Sequence, residues 1–209
     1  MKIIIVGCGK VGATLAEQLS NEGNDIVIVD KDAEKVQDIS NACDIMGVVG
    51  SGSSHNVQLE AGIREANLLI AVTGSDELNL LCCLIAKKAG NGCQTIARVR
   101  NPEYSQEVRF IREELGMAMV INPELSTADE IMRVLVFPSA AKVEVFGKGK
   151  LELVEYRLPD FPWLENITLV ELYKKIKTKF LICAVQRDEK VFIPSGDFAL
   201  QEGDRIHVA

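Results

Sequence analysis

Residues 3–16 read IIIVGCGKVGATLA, and residues 26–30 follow with IVIVD. Few stretches restrict a fold as much. A β-branched run, a GxGxxG turn, a helix and a second strand ending in an acidic residue form the context in which glycines hold a dinucleotide. Gly7 allows the tight turn, Gly9 lets the backbone approach a pyrophosphate, and Gly12 lets helix and sheet pack closely. The amides near Lys10 and Val11 then face an anion at the positive end of a helix. Cys8 and Lys10 fill the variable positions, and a merely solvated Lys10 stays open. Asp30 ends its strand where a ribose would offer its 2′- and 3′-hydroxyls. A 2′-phosphate would meet like charge there, which favours NAD(H) or another adenosine nucleotide over NADP(H). The alternative is that the three glycines serve packing alone.

The alternation continues downstream. KIIIVG, DIVIVD, DIMGVVG, ANLLIAVTG, QTIARVR and MAMVIN read as strands, separated by helical stretches such as ELNLLCCLIAKKAG and PEYSQEVRFIREELG. Strands apolar on both faces, separated by helices, predict a parallel sheet covered on both sides. Six of them make a Rossmann-like doubly wound α/β domain over residues 1–122. The 209 residues, 47% apolar and 25% charged, leave room for a second, smaller core. A net charge of -7 argues against nucleic acid as the main partner. No apolar run reaches the ~18 residues of a membrane span.

The six cysteines (Cys8, Cys43, Cys82, Cys83, Cys93, Cys183) form no CxxC, and His55 and His207 do not complete a zinc pattern with them. They read as small core residues of a reducing cytoplasm.

Residues 123–138, PELSTADEIMRVLVFP, form a helix and linker bounded by Pro123 and Pro138. Its apolar stripe of Ile131, Val134 and Leu135 either packs on its own domain or crosses to a second copy. Beyond it the pattern changes. AKVEVFGKGKLELVEYRL predicts two strands around a Gly147-Lys148-Gly149 turn, TLVELYKKI a helix capped by Thr168, and FLICAVQRDEKVFIP a hairpin before a last strand, DRIHVA. Residues 139–209 are thus a small α+β domain. The chain stops within that last strand, as a fragment of a longer protein would.

Other strand ends border the same crevice. Thr73 and Gly74 stand at the carboxyl end of the fourth strand, where open α/β sheets bind ligands. Gly50, Ser51, Gly52 and Ser53 follow the third strand, although Ser53 or Ser54 also suits a helix cap. Asp76 likewise suits the cap of ELNLLCCLIAKK. Arg98 and Arg100, two apart on the fifth strand, project from one face and need a phosphate or carboxylate. Against these binding groups, no Ser-Tyr-Lys set, GxSxG elbow, HExxH or Walker loop occurs. The reading is a chain that holds a nucleotide without transforming it. An NAD-dependent oxidoreductase lacking its catalytic domain and a dimerisation module with a vestigial loop remain as alternatives.

VGCGKVG with IVIVD, then VVGSGS, NVQLEAGI, AVTGSDELN and TIARVRNPEY, closely resemble the RCK (KTN) nucleotide-binding domains, most closely those of Trk-type potassium uptake systems. The tail ending IPSGDFALQEGDRIHV resembles the small domain that follows the RCK unit. The resemblance implies a non-enzymatic cytoplasmic regulatory subunit, peripheral to the inner face of the membrane through its partner. That partner would be a membrane-embedded Trk-type potassium transporter or channel subunit. The ligands implied are NAD(H), with ATP or ADP in addition. Gly7 to Val11 would form the phosphate loop and Asp30 would bind the ribose. Thr73 and Gly74 would lie at the adenosine or nicotinamide side, Arg98 on the phosphates and Arg100 beside it. The helix from Glu124 to Phe137 would be the crossover segment of an oligomer, at least a dimer. Many channel-linked RCK domains have Gly-Asp after the third strand, where this chain has Gly50-Ser51. Trk-type relatives carry two such halves in tandem and this chain one, which leaves a truncated half or a single-repeat form. Ser139 replaces a glycine frequent after the proline.

Overall fold

The computed structural model describes residues 1–147 and 151–209, with all their side chains except those of Ser105, Gln106 and Pro159. The chain divides into two compact units, Met1–Ser126 and Thr127–Ala209.

The first unit alternates strand and helix in the predicted order: β1 (Lys2–Val6), α1 (Lys10–Asn21), β2 (Asp25–Asp30), α2 (Ala33–Cys43), β3 (Met46–Val49), α3 (His55–Glu60), β4 (Leu68–Ala71), α4 (Asp76–Ala89), β5 (Gln94–Arg98), α5 (Pro102–Glu114) and β6 (Met119–Ile121), after which α6 (Pro123–Val136) begins. The strands are parallel and ordered β3-β2-β1-β4-β5-β6, the doubly wound arrangement. Successive strand residues point to opposite faces, so a strand with helices on both sides must be apolar throughout. Ile4, Val6, Val27, Val29 and Leu69 face one core with Cys82 and Cys83 of α4. Ile3, Ile5, Ile26, Ile28 and Ile70 face the other with Ala16 of α1 and Val36 of α2. Each such side chain, once buried, contributes roughly 1.5–3 kcal/mol. Burial pushes the Cys82 and Cys83 thiols up to about 12, so both are neutral packing groups. The strand order reverses between β1 and β4, and a crevice opens there at their carboxyl ends.

α6 carries the chain from the first unit into the second. None of its side chains is buried, and Ile131 and Leu135 are 57% and 71% exposed. The predicted apolar stripe is thus exposed among the described residues.

The second unit holds β7 (Lys142–Phe146), β8 (Leu151–Arg157), α7 (Leu169–Lys175), β9 (Ile182–Arg187), β10 (Lys190–Phe192) and β11 (Arg205–Val208). These strands form an antiparallel sheet ordered β10-β9-β11-β8-β7. β7 and β8 pair up to Phe146 and Leu151; Lys148 and Gly149 of the expected turn lie outside the described residues. Few strand positions are buried, and of these Ile182 and Val185 of β9 and Ile206 of β11 pack with Leu158, Leu172, Leu200 and their neighbours. Thr168 caps α7 as the sequence suggests, in a reciprocal capping box with Glu171.

Candidate functional site

The crevice of the first unit has a volume of about 350 Å³. Its floor is the glycine turn. Gly7 has φ +111°, and a Cβ there would press on the Val72 backbone at 3.0 Å. A Cβ on Gly12 would stand 1.8 Å from the Gly7 carbonyl oxygen, so only glycine lets α1 lie against the loop. Gly9 differs from both: a Cβ there meets nothing within 4 Å, because that side of its backbone opens on the crevice. Gly9 is also the N-cap of α1 and no side chain caps it, leaving the first amides of the helix without a side-chain acceptor.

Asp30 organises the turn from the end of β2. Its Oδ2 accepts from the Cys8 amide at 2.6 Å and its Oδ1 from the Asp32 amide at 3.0 Å. Each oxygen keeps a lone pair for a further donor. Cys8 thus gives its amide to Asp30, while its thiol is buried and pushed up to about 12, first by desolvation and then by the Asp30 charge. Lys31 and Lys35 also line the crevice, with Lys35 Nζ 2.8 Å from Asp32. These two cations share the crevice with Asp30 and oppose its repulsion of a 2′-phosphate.

The other wall comes from the ends of β3, β4 and β5. Gly50 and Gly52 line it, and a Cβ on Gly52 would stand 2.2 Å from Val6 Cγ1. The fully buried Gln58 fixes this loop by donating to the Gly52 and Cys82 carbonyls at 2.7 and 3.0 Å. Ser54 is the N-cap of α3 without a side-chain bond, and the Ser51 and Ser53 hydroxyls pair with each other at 2.9 Å. Asn79, also fully buried, accepts from the Thr73 amide and hydroxyl at 2.8 and 2.7 Å and donates to the Arg98 carbonyl at 2.8 Å. It thereby locks the end of β4 to the end of β5.

Asp76 is not the cap expected of it. Ser75 caps α4, accepting from the Leu78 amide at 3.2 Å. Asp76, one residue later, points across to β5 and accepts from the Arg100 and Asn101 amides, each at 2.8 Å. Burial pushes its carboxyl up, but those two amides and the Arg100 guanidinium outweigh it and hold the group below its ordinary value.

The two arginines part company. β5 ends at Arg98, so strand alternation does not extend to Arg100. Arg100 turns to Asp76 and donates through Nη2 to the Gly74 carbonyl at 2.5 Å. Arg98 lines the crevice with a side chain 15% exposed. Its Nη2 donates to Glu124 Oε1 in the first turn of α6, while its Nε is buried without a partner. That hydrogen bond holds the Glu124 carboxyl below its ordinary value.

Of the residues singled out from the sequence, Gly7, Gly9, Asp30, Gly50, Gly52, Thr73, Gly74 and Arg98 line this one crevice. Cys8, Lys10, Val11, Gly12 and Arg100 are not part of its lining. Gln58, Asn79 and Glu124 were missed, and a local pattern gives no sign of them. Among the described residues, no cluster of His, Cys, Asp or Glu could hold a metal ion, and no helix is long and apolar enough to cross a membrane.

Comparison with known proteins places the two units in known company. Residues 3–123 match the TrkA-N domain and residues 153–209 the TrkA-C domain. A Trk system potassium uptake protein TrkA homolog of Archaeoglobus fulgidus is 34% identical over 208 residues, which is 100% of this chain and 47% of the relative. The TrkA of Haemophilus influenzae is 35% identical, over 99% of this chain and 46% of its own length. The chain spans about half the length of the curated relatives it matches. Among solved structures, the GsuK channel bound to NAD aligns with 99% of this chain and 36% of its own, at TM-score 0.57 and 20% identity, a likeness of fold.

Proposed function

The chain belongs to the family built from TrkA-N and TrkA-C domains, and from that premise we propose that it is a nucleotide-responsive regulatory unit of a potassium uptake system. It binds NAD(H), with ATP or ADP as further ligands, and acts on a membrane-embedded Trk-type partner from the cytoplasmic side without catalysing a reaction. The observation that carries this reading is the crevice at the switch point, where an open glycine backbone, an acidic strand end and an arginine with an unsatisfied Nε face one space. Those groups fit a dinucleotide. The pyrophosphate lies over Gly9 and the start of α1, Asp30 takes the ribose hydroxyls, Arg98 takes a phosphate oxygen, and Thr73 and Gly74 border the other half of the ligand. The names of the relatives support the potassium system, and the NAD-bound GsuK channel supports the ligand class.

Residues 1–122 are the binding domain, residues 123–138 the crossover segment and residues 139–209 the second domain. The exposed stripe of α6 supports self-association, at least as a dimer. Regulation then requires that a ligand bind two arrangements of the paired chains unequally, since equal affinity shifts nothing.

Calorimetric titration with NADH, NADPH, ATP, ADP and adenosine tests this. NADH is expected to bind, and Asp30→Asn to weaken it about tenfold, the scale of a lost charge-assisted hydrogen bond. NADPH measures how far Lys31 and Lys35 offset Asp30. Silence with every nucleotide at millimolar concentration would sink the proposal, as would specific turnover of NADH with a carbonyl acceptor.

A further inference from the structure

We propose that Glu124 is an internal competitor for Arg98, displaced by the phosphate of a bound nucleotide, so that occupancy of the crevice releases the first turn of α6. The proposal rests on the nucleotide reading above and names how occupancy leaves the site. Arg98 presents five N–H donors in a planar fork. Glu124 engages one of them through a single oxygen, and the buried Nε beside it has no partner. Glu124 leaves most of the fork unused. A buried donor left unmade is costly, and phosphate is a group that takes two parallel N–H bonds from one guanidinium. Phosphate therefore gains what Glu124 leaves unmade.

The two partners also differ in what they lose on separating. Glu124 is 52% exposed and Arg98 15%, so the carboxylate returns readily to water while the arginine needs a replacement anion. The freed carboxylate stays favourable at the positive start of its own helix.

The consequence falls on α6. Its first turn is held to the sheet by Asn122, which accepts from the Leu125 amide at 3.0 Å and donates to the Arg100 carbonyl at 3.3 Å, and by the Glu124–Arg98 pair. Exchange at Arg98 removes the second tie and leaves the first. The helix so loosened is the one that leads out of the first unit and bears the uncovered apolar stripe. A signal that begins with phosphate thus reaches an exposed apolar surface.

The test uses the full chain, its Glu124→Gln and Arg98→Ala variants and the double variant. Each is titrated with NADH, ADP and adenosine, while hydrogen exchange is followed in the first turn of α6. Glu124→Gln should bind NADH and ADP roughly three- to tenfold tighter, the scale of one partly exposed charged hydrogen bond, and bind adenosine unchanged. The double variant should bind no tighter than Arg98→Ala, because the gain passes through the arginine. NADH should speed exchange near Glu124 in the unaltered chain and leave the already fast Glu124→Gln variant as it is. Equal or weaker phosphate binding by Glu124→Gln overturns the proposal and leaves nucleotide binding by the unaltered chain standing. Failure of the unaltered chain to bind NADH removes the nucleotide reading and this one with it.

Discussion

Each unit contains a cavity of about 350 Å³, and the two are lined in opposite ways. In the second unit Phe137, Tyr156, Trp163 and Phe180 surround an apolar space beside a one-sided core. In the first, glycine backbone, Asp30 and Arg98 face inward at the ends of a sheet whose core is complete on both faces. The charged groups differ in the same sense. Asp204 is fully buried and takes Arg187 by both oxygens at 2.7 and 2.8 Å, together with the Gln201 amide at 2.9 Å. Phe198 then covers the guanidinium at 5.2 Å. That pair is closed. Arg98 is held at one nitrogen and left unpaired at another. A saturated ion pair is closed to a ligand, whereas a half-satisfied one at a crevice is open to one.

The largest expected loss lies at the closed pair. Asp204→Ala strands Arg187 and the Gln201 amide, and should cost about 3 kcal/mol, the low end for breaking a buried pair because Arg187 keeps some access to water. Urea denaturation measures it; a loss below about 1 kcal/mol would show that the pair is not structural in the sense argued. Gly12→Ala should cost about 2–3 kcal/mol, since the new Cβ meets backbone oxygen that has no room to withdraw. Asp76→Ala should cost about 2 kcal/mol by leaving the Arg100 and Asn101 amides without their acceptor.

Asp76 also carries a pH signature. Its folded carboxyl lies below the ordinary value of 3.8, so the folded state favours the ionised form. Its contribution is fully present above about pH 4 and is lost as pH falls through the folded value. The stability gap between Asp76→Ala and the unaltered chain should therefore narrow below pH 4, and a gap constant with pH would refute the assignment. The smallest expected effect on stability is at Gly9. Gly9→Ala should change stability by less than about 0.5 kcal/mol, because nothing stands within contact of the new Cβ, yet weaken NADH markedly. Unequal outcomes at Gly9 and Gly12 would separate a glycine kept for a ligand from one kept for packing.

Much of this was legible before the fold. The parallel sheet followed from strands such as IIIV and IVIV, apolar at every position, and the small sheet from alternation in LELVEYR. Thr168 is legible as the cap of α7, while its reciprocal bond with Glu171 comes from the structure. Where the reading slipped, the partner lay far along the chain. Asp76 has the composition of a cap, and its true acceptor role joins residues 24 and 25 positions away. Arg98 and Arg100 seemed equivalent by alternation, until the strand ended between them.

The sequence alone determined the elements, their type and the glycine turn, because periodicity, turn conformation and capping act over a few residues and leave a local trace. The tertiary structure alone decided that Asn79 would clamp two strand ends, that Arg100 would belong to Asp76, and that Arg98 would meet Glu124 from 26 positions away. Those pairings arise where strand order brings distant chain ends together, and strand order is set by the packing of the whole sheet.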